Sequence, residues 1–258
     1  MRIVSLVENT AKREGVTPEH GLSLYIETGA HKLLFDMGQS VLFAKNAEEL
    51  GVDLSAVELA ILSHGHYDHG GGLSRFLKIN DRAPIYVSEH AFGDYYNGTQ
   101  KYIGLDKRLQ GHPRLSTCGE RTEIAKGLTL FSCNDRARPY PTDSGGLTKC
   151  VNGSFLADDF LHEQYLLIEE GEKRVLISGC SHKGIRNIVA WFAPDVLIGG
   201  FHFSKWPLDD KLREQARALG AYGTRYYTCH CTGVEQFAFM QRELPQLSYL
   251  AAGEEIEI

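Results

Sequence analysis

Apolar residues fall in short runs separated by glycine and charge, and the period of these runs changes along the chain. IVSLVE (from Ile3), LSLYIETG (from Leu22) and HKLLFDMG (from His31) are too short for helices and rich in Val, Ile, Leu and Tyr. They predict strands, with the glycine and charge between Ile26 and Leu33 marking a hairpin turn. VLFAKNAEELG carries Leu42, Phe43, Ala47 and Leu50 at helical spacing and meets its stop at Gly51, which predicts an amphipathic helix. VELAILS then reads as a buried strand, GGLSRFLKI as a helix and APIYVSEHA as a strand.

From Gln164 the alternation sharpens. Strands QYLLIEE and RVLISGC are followed by helix GIRNIVAWF, strand DVLIGGF, helix LDDKLREQARALG, strand RYYTCH, helix GVEQFAFMQREL and a closing strand LSYLAAGEEIEI. Strands alternating with helices predict α/β layers, and the hairpins near the start make the sheets mixed. Apart from the strand LTLFSC, the stretches near 93–126 and 134–161 are weakly periodic and punctuated by Gly, Tyr and Pro, and read as irregular insertions near the site. No repeat or linker interrupts the chain, so residues 1–258 read as one domain.

Composition narrows the function. The 258 residues are 43% hydrophobic and 23% charged, enough to bury a core. Thirty-three acidic against 27 basic residues give a net charge of -6, and no run of five like charges offers a nucleic-acid surface. A small-molecule partner is expected, with no nucleic acid or membrane, and a homo-oligomer is compatible. No apolar stretch approaches the roughly 18 residues of a membrane span, and MRIVSLVEN is broken too early by Glu8 and Asn9 for a signal peptide. Cys118, Cys133, Cys150, Cys180, Cys229 and Cys231 show no disulfide-scaffold spacing, which suits a reducing, cytoplasmic setting.

The chemistry concentrates in ILSHGHYDHGGGL, which places His64, His66, Asp68 and His69 directly behind an apolar strand. Side chains alternate along a strand, so His64 and His66 project to the same side and can grip one ion, while Asp68 and His69 past the bend can face a second. Imidazole and carboxylate suit zinc, with iron, manganese or magnesium as alternatives, and catalytic zinc sites keep a position for water. A solvated loop, with Asp68 capping the helix that follows, is the bland alternative.

SHGHYDHGGGL resembles the signature of the metallo-β-lactamase superfamily, and LLFDMG resembles the strand and aspartate turn that precede it there. SGCSHKGIRNIV, IGGFHF and TCHCTG are similar to the branch named for 7,8-dihydropterin-6-methyl-4-(β-D-ribofuranosyl)aminobenzene-5'-phosphate synthase. The resemblance covers almost the whole chain. It implies a four-layer αββα sandwich with mixed sheets, its site along the edge where the sheets meet, and one or two divalent metal ions.

Against that pattern, Cys180 stands where many members carry an aspartate; it is a ligand or a small buried residue. His182 is a second candidate ligand, or a group that caps a helix or binds phosphate. His230 matches the superfamily's last histidine ligand. Cys229 and Cys231 lie on the opposite strand face if the extension continues, and read as structural. His202 is either a substrate or acid–base group, or a core histidine. The usual Gly-His-Thr-Pro-Gly-like turn is replaced by DDFLHEQ, where His162, Asp158, Asp159 or Glu163 could substitute. Lys183 and Arg186 could bind an anionic substrate group, and Arg136, Arg138 and Tyr140 could reach a phosphate. His20, His31, His90 and His112 lack a partner motif and read as surface residues.

These readings converge on a metal-dependent hydrolase, or a transferase like the dihydropterin synthase, acting on a phosphorylated or pterin-like small molecule. The metal would bring water's pKa to about 7 or stabilise a leaving group, with Asp68 orienting the nucleophile. The alternative is a non-catalytic metal-binding sensor of the same fold. A di-iron redox enzyme fits less well, because the relatives of that type carry a glutamate in the first motif and a flavin domain.

Overall fold

A computed structural model describes residues 1–258. Its contacts divide the chain into two compact, interleaved units: residues 1–119, 143–164 and 251–258 form the first, and residues 120–142 and 165–250 the second.

The first unit is built on a seven-stranded mixed sheet. In spatial order the strands are Glu255–Glu257, Arg2–Val7, Ser23–Glu27, Lys32–Phe35, Leu59–Ile61, Ile85–Ser88 and Leu115–Cys118. The first three pairings are antiparallel and the last three parallel. Helices Leu42–Glu49 and Leu73–Ile79 lay Phe43, Ala44, Ala47, Leu73 and Phe76 against Val4, Leu6, Leu34, Ala60 and Ile85 of the sheet. Parallel strands joined by short crossovers leave their C-terminal ends side by side. Asp36 and Ser63 therefore emerge at one end of the sheet, just beyond neighbouring strands.

The second unit repeats the plan. Its order is Leu247–Tyr249, Arg225–Thr228, Val196–Ile198, Lys173–Ile177, Tyr165–Glu170, Leu128–Phe131 and Arg121–Ala125. Three parallel pairings are followed by three antiparallel ones. Helices Ile185–Phe192, Asp210–Gly220 and Val234–Met240 bury Ile188, Val189, Leu212, Ala216 and Met240 with Leu176, Leu197 and Tyr226. Asp209 caps the second of these, accepting from the Lys211 and Leu212 N–H groups.

The fold class is thus α/β with mixed sheets, as the pattern predicts, and two readings need correction. The stretches taken as irregular hold strands at the edges of both large sheets and a third, four-stranded antiparallel sheet, Ser154–Ala157, Leu147–Val151, Tyr95–Asn97 and Lys101–Tyr102. Ser154–Ala157 and Lys101–Tyr102 are exposed at every residue, so neither shows the apolar alternation that announces a half-buried strand. The single closing strand is in fact two, Leu247–Tyr249 in the second unit and Glu255–Glu257 in the first. No helix is long and apolar enough to cross a membrane.

Phe76 is fully buried and Phe155 is exposed. Phe76→Ala is expected to cost about 3–5 kcal/mol in a urea titration, and Phe155→Ala roughly 0.5 kcal/mol or less. Equal losses would contradict the assignment of the core.

Candidate metal centre

In the first unit the organising group is Asp36. It follows its strand with φ +60°, a left-handed conformation that costs a non-glycine residue free energy and recurs at functional sites. Its buried carboxylate repays that cost. Oδ1 accepts the Ser63 N–H at 2.7 Å, and Oδ2 meets Ser63 Oγ and His69 Nδ1, each at 2.7 Å. Burial disfavours the charged form of His69, but the Asp36 carboxylate outweighs it and raises the imidazole's pKa above its ordinary value. With Nδ1–H committed to Asp36, the neutral ring carries its lone pair on Nε2, the tautomer a metal ligand needs.

Around this anchor the motif closes on itself. The His64 ring centroid lies 4.6 Å from that of His66 and 4.1 Å from that of His69. His66 is pinned by a bridge to Gly104, and helix Tyr67–Gly70 starts immediately after it. Asp68 therefore lies in the first turn of that helix, and does not merely cap it. Its side chain is largely covered, and Oδ2 meets His20 Nε2 at 3.1 Å. His20 is exposed, as expected of a surface histidine, and it also contacts the motif through Asp68.

DDFLHEQ, which stands in place of the missing turn, brings His162 and Asp158 against the motif. His162 is fully buried, with its ring centroid 4.9 Å from His66 and 5.8 Å from His64. Its Nδ1 accepts the Gly65 N–H at 3.0 Å, and its Nε2 faces Asp158 Oδ2 at 3.1 Å. Asp158 is also 3.9 Å from His66 Nε2. His66, Asp158 and His162 can present their donor atoms within 4.8 Å of one another. Burial works against the charge on Asp158, yet the hydrogen bond from His162 and the nearby His66 imidazole prevail and hold its carboxyl below the usual range. Of the other substitutes, Asp159 is half-buried and paired with Lys149, while Glu163 is buried. The Tyr95 ring lies 4.0 Å from that of His162, tilted by 43°, and its hydroxyl donates to the His90 carbonyl.

The second unit gathers its own donors. Strands Leu128–Phe131, Lys173–Ile177, Val196–Ile198 and Arg225–Thr228 run in one direction, and just beyond their C-terminal ends Cys133, Ser181, His202 and His230 all have positive φ. Ligand sites of open α/β sheets form at such strand ends. The His182 and His202 rings are 4.4 Å apart; His182 is buried and His202 half-buried. Cys180, His230 and Cys231, all buried, bring their donor atoms within 4.8 Å of one another.

That last grouping corrects the reading of Cys231. The extension does not continue past Cys229: His230 turns to φ +48° and opens a 3-10 turn, His230–Thr232. The two-residue alternation is lost there, and Cys231 joins His230 instead of facing away. The neighbouring glycines are also explained. A Cβ on Gly199 would meet the Ser178 carbonyl oxygen at 2.0 Å, and one on Gly200 would lie 2.3 Å from Cys231 Sγ.

The predicted anion-binding residues fare differently. Lys183 is fully buried, its ammonium donating to the Ser132 carbonyl at 2.6 Å and to Asn134 Oδ1 at 2.7 Å, so it ties down a loop and does not reach out to substrate. Arg186 remains half-buried, stacked 4.0 Å above the Tyr140 ring. Arg136 lies over Phe192 and donates to the Trp191 carbonyl, a packing role.

The donor chemistry fits a divalent cation of the zinc type. Imidazoles, carboxylates and thiols are the zinc ligand set, and buried charge of this density requires a compensating partner.

Comparison with known proteins agrees. A sequence profile of the Metallo-beta-lactamase superfamily matches residues 16–222. The chain is 28% identical over 271 residues to the 7,8-dihydropterin-6-methyl-4-(beta-D-ribofuranosyl)-aminobenzene-5'-phosphate synthase of Methanocaldococcus jannaschii, covering 93% of this chain and 90% of that one. It is 30% identical over 207 residues to protein MJ0448 of the same organism, covering 76% and 77%. The crystal structure of Tm1679, described as a metal-dependent hydrolase of the beta-lactamase superfamily, matches 100% of this chain and 99% of its own, with a TM-score of 0.85 and 31% identity. Zinc-bound PqqB from Methylobacterium extorquens matches 100% of both chains at a TM-score of 0.62 and 13% identity, a likeness of fold.

Asp36→Ala leaves buried donors without their acceptor and is expected to cost about 3–5 kcal/mol in chelator-treated protein, measured by urea unfolding. Asp36→Asn, which keeps one acceptor oxygen, is expected to cost less. If the alanine variant unfolds at the wild-type urea concentration, Asp36 does not organise the motif.

Proposed function

Since the chain belongs to the metallo-β-lactamase superfamily, we propose that it is a metal-dependent hydrolase acting on a small phosphorylated molecule. The observation that carries this reading is the buried grouping of His64, His66, His69 and His162 with Asp36 and Asp158 in the first unit. A purely structural role does not call for so many imidazoles in one place.

In this reading His64, His66, Asp68 and His69 would hold metal in the first unit, with His162 packed against them, and Cys180, His182 and His230 would supply donors in the second. A bound divalent cation supplies acidified water and stabilises developing anionic oxygen. The chain's own groups do the rest. Asp36 fixes the His69 tautomer through the 2.7 Å contact at Nδ1. Gly65 and Asp158 fix the orientation of His162 from either side of its ring. Asp68 accepts a proton from the attacking water and orients it, and His20, 3.1 Å from the Asp68 carboxylate, steadies that side chain. His202, half-buried beside His182, takes the acid–base role toward the leaving group. Arg186 offers the cation for an anionic substrate group, a role that Lys183 cannot fill from its buried position.

A second reading, transfer in the manner of a dihydropterin synthase, is favoured by the 28% identity that extends over 93% of the chain. Both reactions ask the site to hold developing negative charge on a phosphate. They part on the acceptor: water in one, an arylamine in the other.

His66→Ala and His69→Ala are expected to lose bound metal and turnover together, metal by elemental analysis and turnover on a panel of phosphodiesters, phosphomonoesters and a pterin diphosphate offered with an arylamine. His31→Ala is expected to change neither, since that ring meets Glu58 at the surface. Full metal content in both site variants would rule out the proposed centre, and turnover of the pterin diphosphate with the arylamine alone would replace hydrolysis by transfer.

A further inference from the structure

We propose that Cys231 is a metal ligand, and that Cys180, His230 and Cys231 form a thiolate-rich site for a soft or borderline divalent cation, zinc before magnesium or manganese. This rests on the metal-dependent reading above and adds to it a donor and a metal preference.

Cys231 is set apart from the other cysteines by its surroundings. Cys118, Cys133, Cys150 and Cys229 belong to none of the groups whose donors converge within ligating reach, whereas Cys180 and Cys231 share one with His230. All three are buried, with 3%, 1% and 7% of Cys180, His230 and Cys231 exposed. None of the six cysteines is in a disulfide.

The backbone goes to some expense to bring Cys231 there. Continued extension from strand Arg225–Thr228 would send residues 230 and 231 to opposite faces. Instead His230 adopts φ +48° and the 3-10 turn follows at once, a conformation costing a non-glycine residue of order 1–3 kcal/mol unless its surroundings compensate. The strand beside it makes room. Gly200 is the residue whose Cβ would stand 2.3 Å from Cys231 Sγ, so any side chain at 200 would take the place of the sulfur.

In the thiol form Cys231 Sγ lies 3.5 Å from the Cys180 carbonyl oxygen, to which its S–H donates weakly. Ligation replaces that contact: the two S–H protons leave to solvent, and each sulfur donates an electron pair to the cation. Two thiolates carry two negative charges, which a divalent cation neutralises, and neutral His230 completes three protein ligands. Thiolate donors select zinc and disfavour magnesium and manganese, and three protein ligands leave one position of a zinc tetrahedron for another group.

The test uses the full chain, stripped of metal under reducing conditions and reloaded with cobalt(II). Wild type is expected to show both the visible bands of bound cobalt and a near-ultraviolet thiolate-to-cobalt band. Cys231→Ser and Cys180→Ser should each lose about half of the latter, and the double variant all of it. Zinc affinity of Cys231→Ser should fall by more than the roughly 10–100-fold that loss of an outer-shell partner costs. An undiminished thiolate band in Cys231→Ser overturns the assignment, as do cobalt bands without any thiolate band. Absence of all cobalt bands in wild type refutes the metal-dependent reading itself. Should Cys231→Ser fail to fold, X-ray absorption of the zinc-loaded wild type decides: sulfur scatterers at about 2.3 Å totalling two per chain support the proposal, and one or none overturns it.

Discussion

The first unit's chemistry depends on one carboxylate. Asp36, buried and left-handed, receives a backbone N–H, a hydroxyl and an imidazole from the motif that begins at Ser63. Each of these contacts satisfies a polar group that would otherwise be costly to bury, and the one from His69 also fixes the tautomer and orientation of its ring. The parallel pairing of Lys32–Phe35 with Leu59–Ile61 makes this geometry available, because it delivers Asp36 and Ser63 to the same end of the sheet. Sheet topology, hydrogen bonding and candidate chemistry are one argument here.

The second unit solves the same problem with backbone conformation in place of a carboxylate. Four strands of common direction are followed by Cys133, Ser181, His202 and His230, each at positive φ. Turning sharply there lets a donor reach the space at the strand ends instead of continuing the pleat. Strain of this kind persists only where its surroundings hold it, and buried neighbours such as Thr228, Thr232 and Cys229 provide that hold. Lys183 ties the segment that carries Cys180 and His182 to the loop at Ser132 and Asn134.

Much of this was legible in the sequence, for reasons that also mark where reading had to stop. Long apolar periods announced the helices Ile185–Phe192 and Asp210–Gly220, and the density of His64, His66, Asp68 and His69 announced the metal motif. The third sheet was not legible, because strands exposed on both faces leave no period to detect. His162 was in view without a turn to single it out; it contacts Gly65, 97 residues earlier, and no local pattern reports such a pairing. The side that Cys231 faces was not legible, because the two-residue alternation stops where the 3-10 turn His230–Thr232 begins. The burial of Lys183 was not legible, since charge alone does not reveal burial, and the contact of the exposed His20 with Asp68 joins residues 48 apart that no local pattern connects.

The central claim is that the buried imidazoles and carboxylates of the first unit hold a cation. Diffraction from zinc-soaked crystals, recorded on either side of the zinc absorption edge, tests it most directly. The account predicts an anomalous peak within bonding distance, about 2.0–2.1 Å, of histidine nitrogens in the group formed by His64, His66 and His69. A map without a peak at any of those nitrogens, from crystals in which the three rings are ordered, would contradict it.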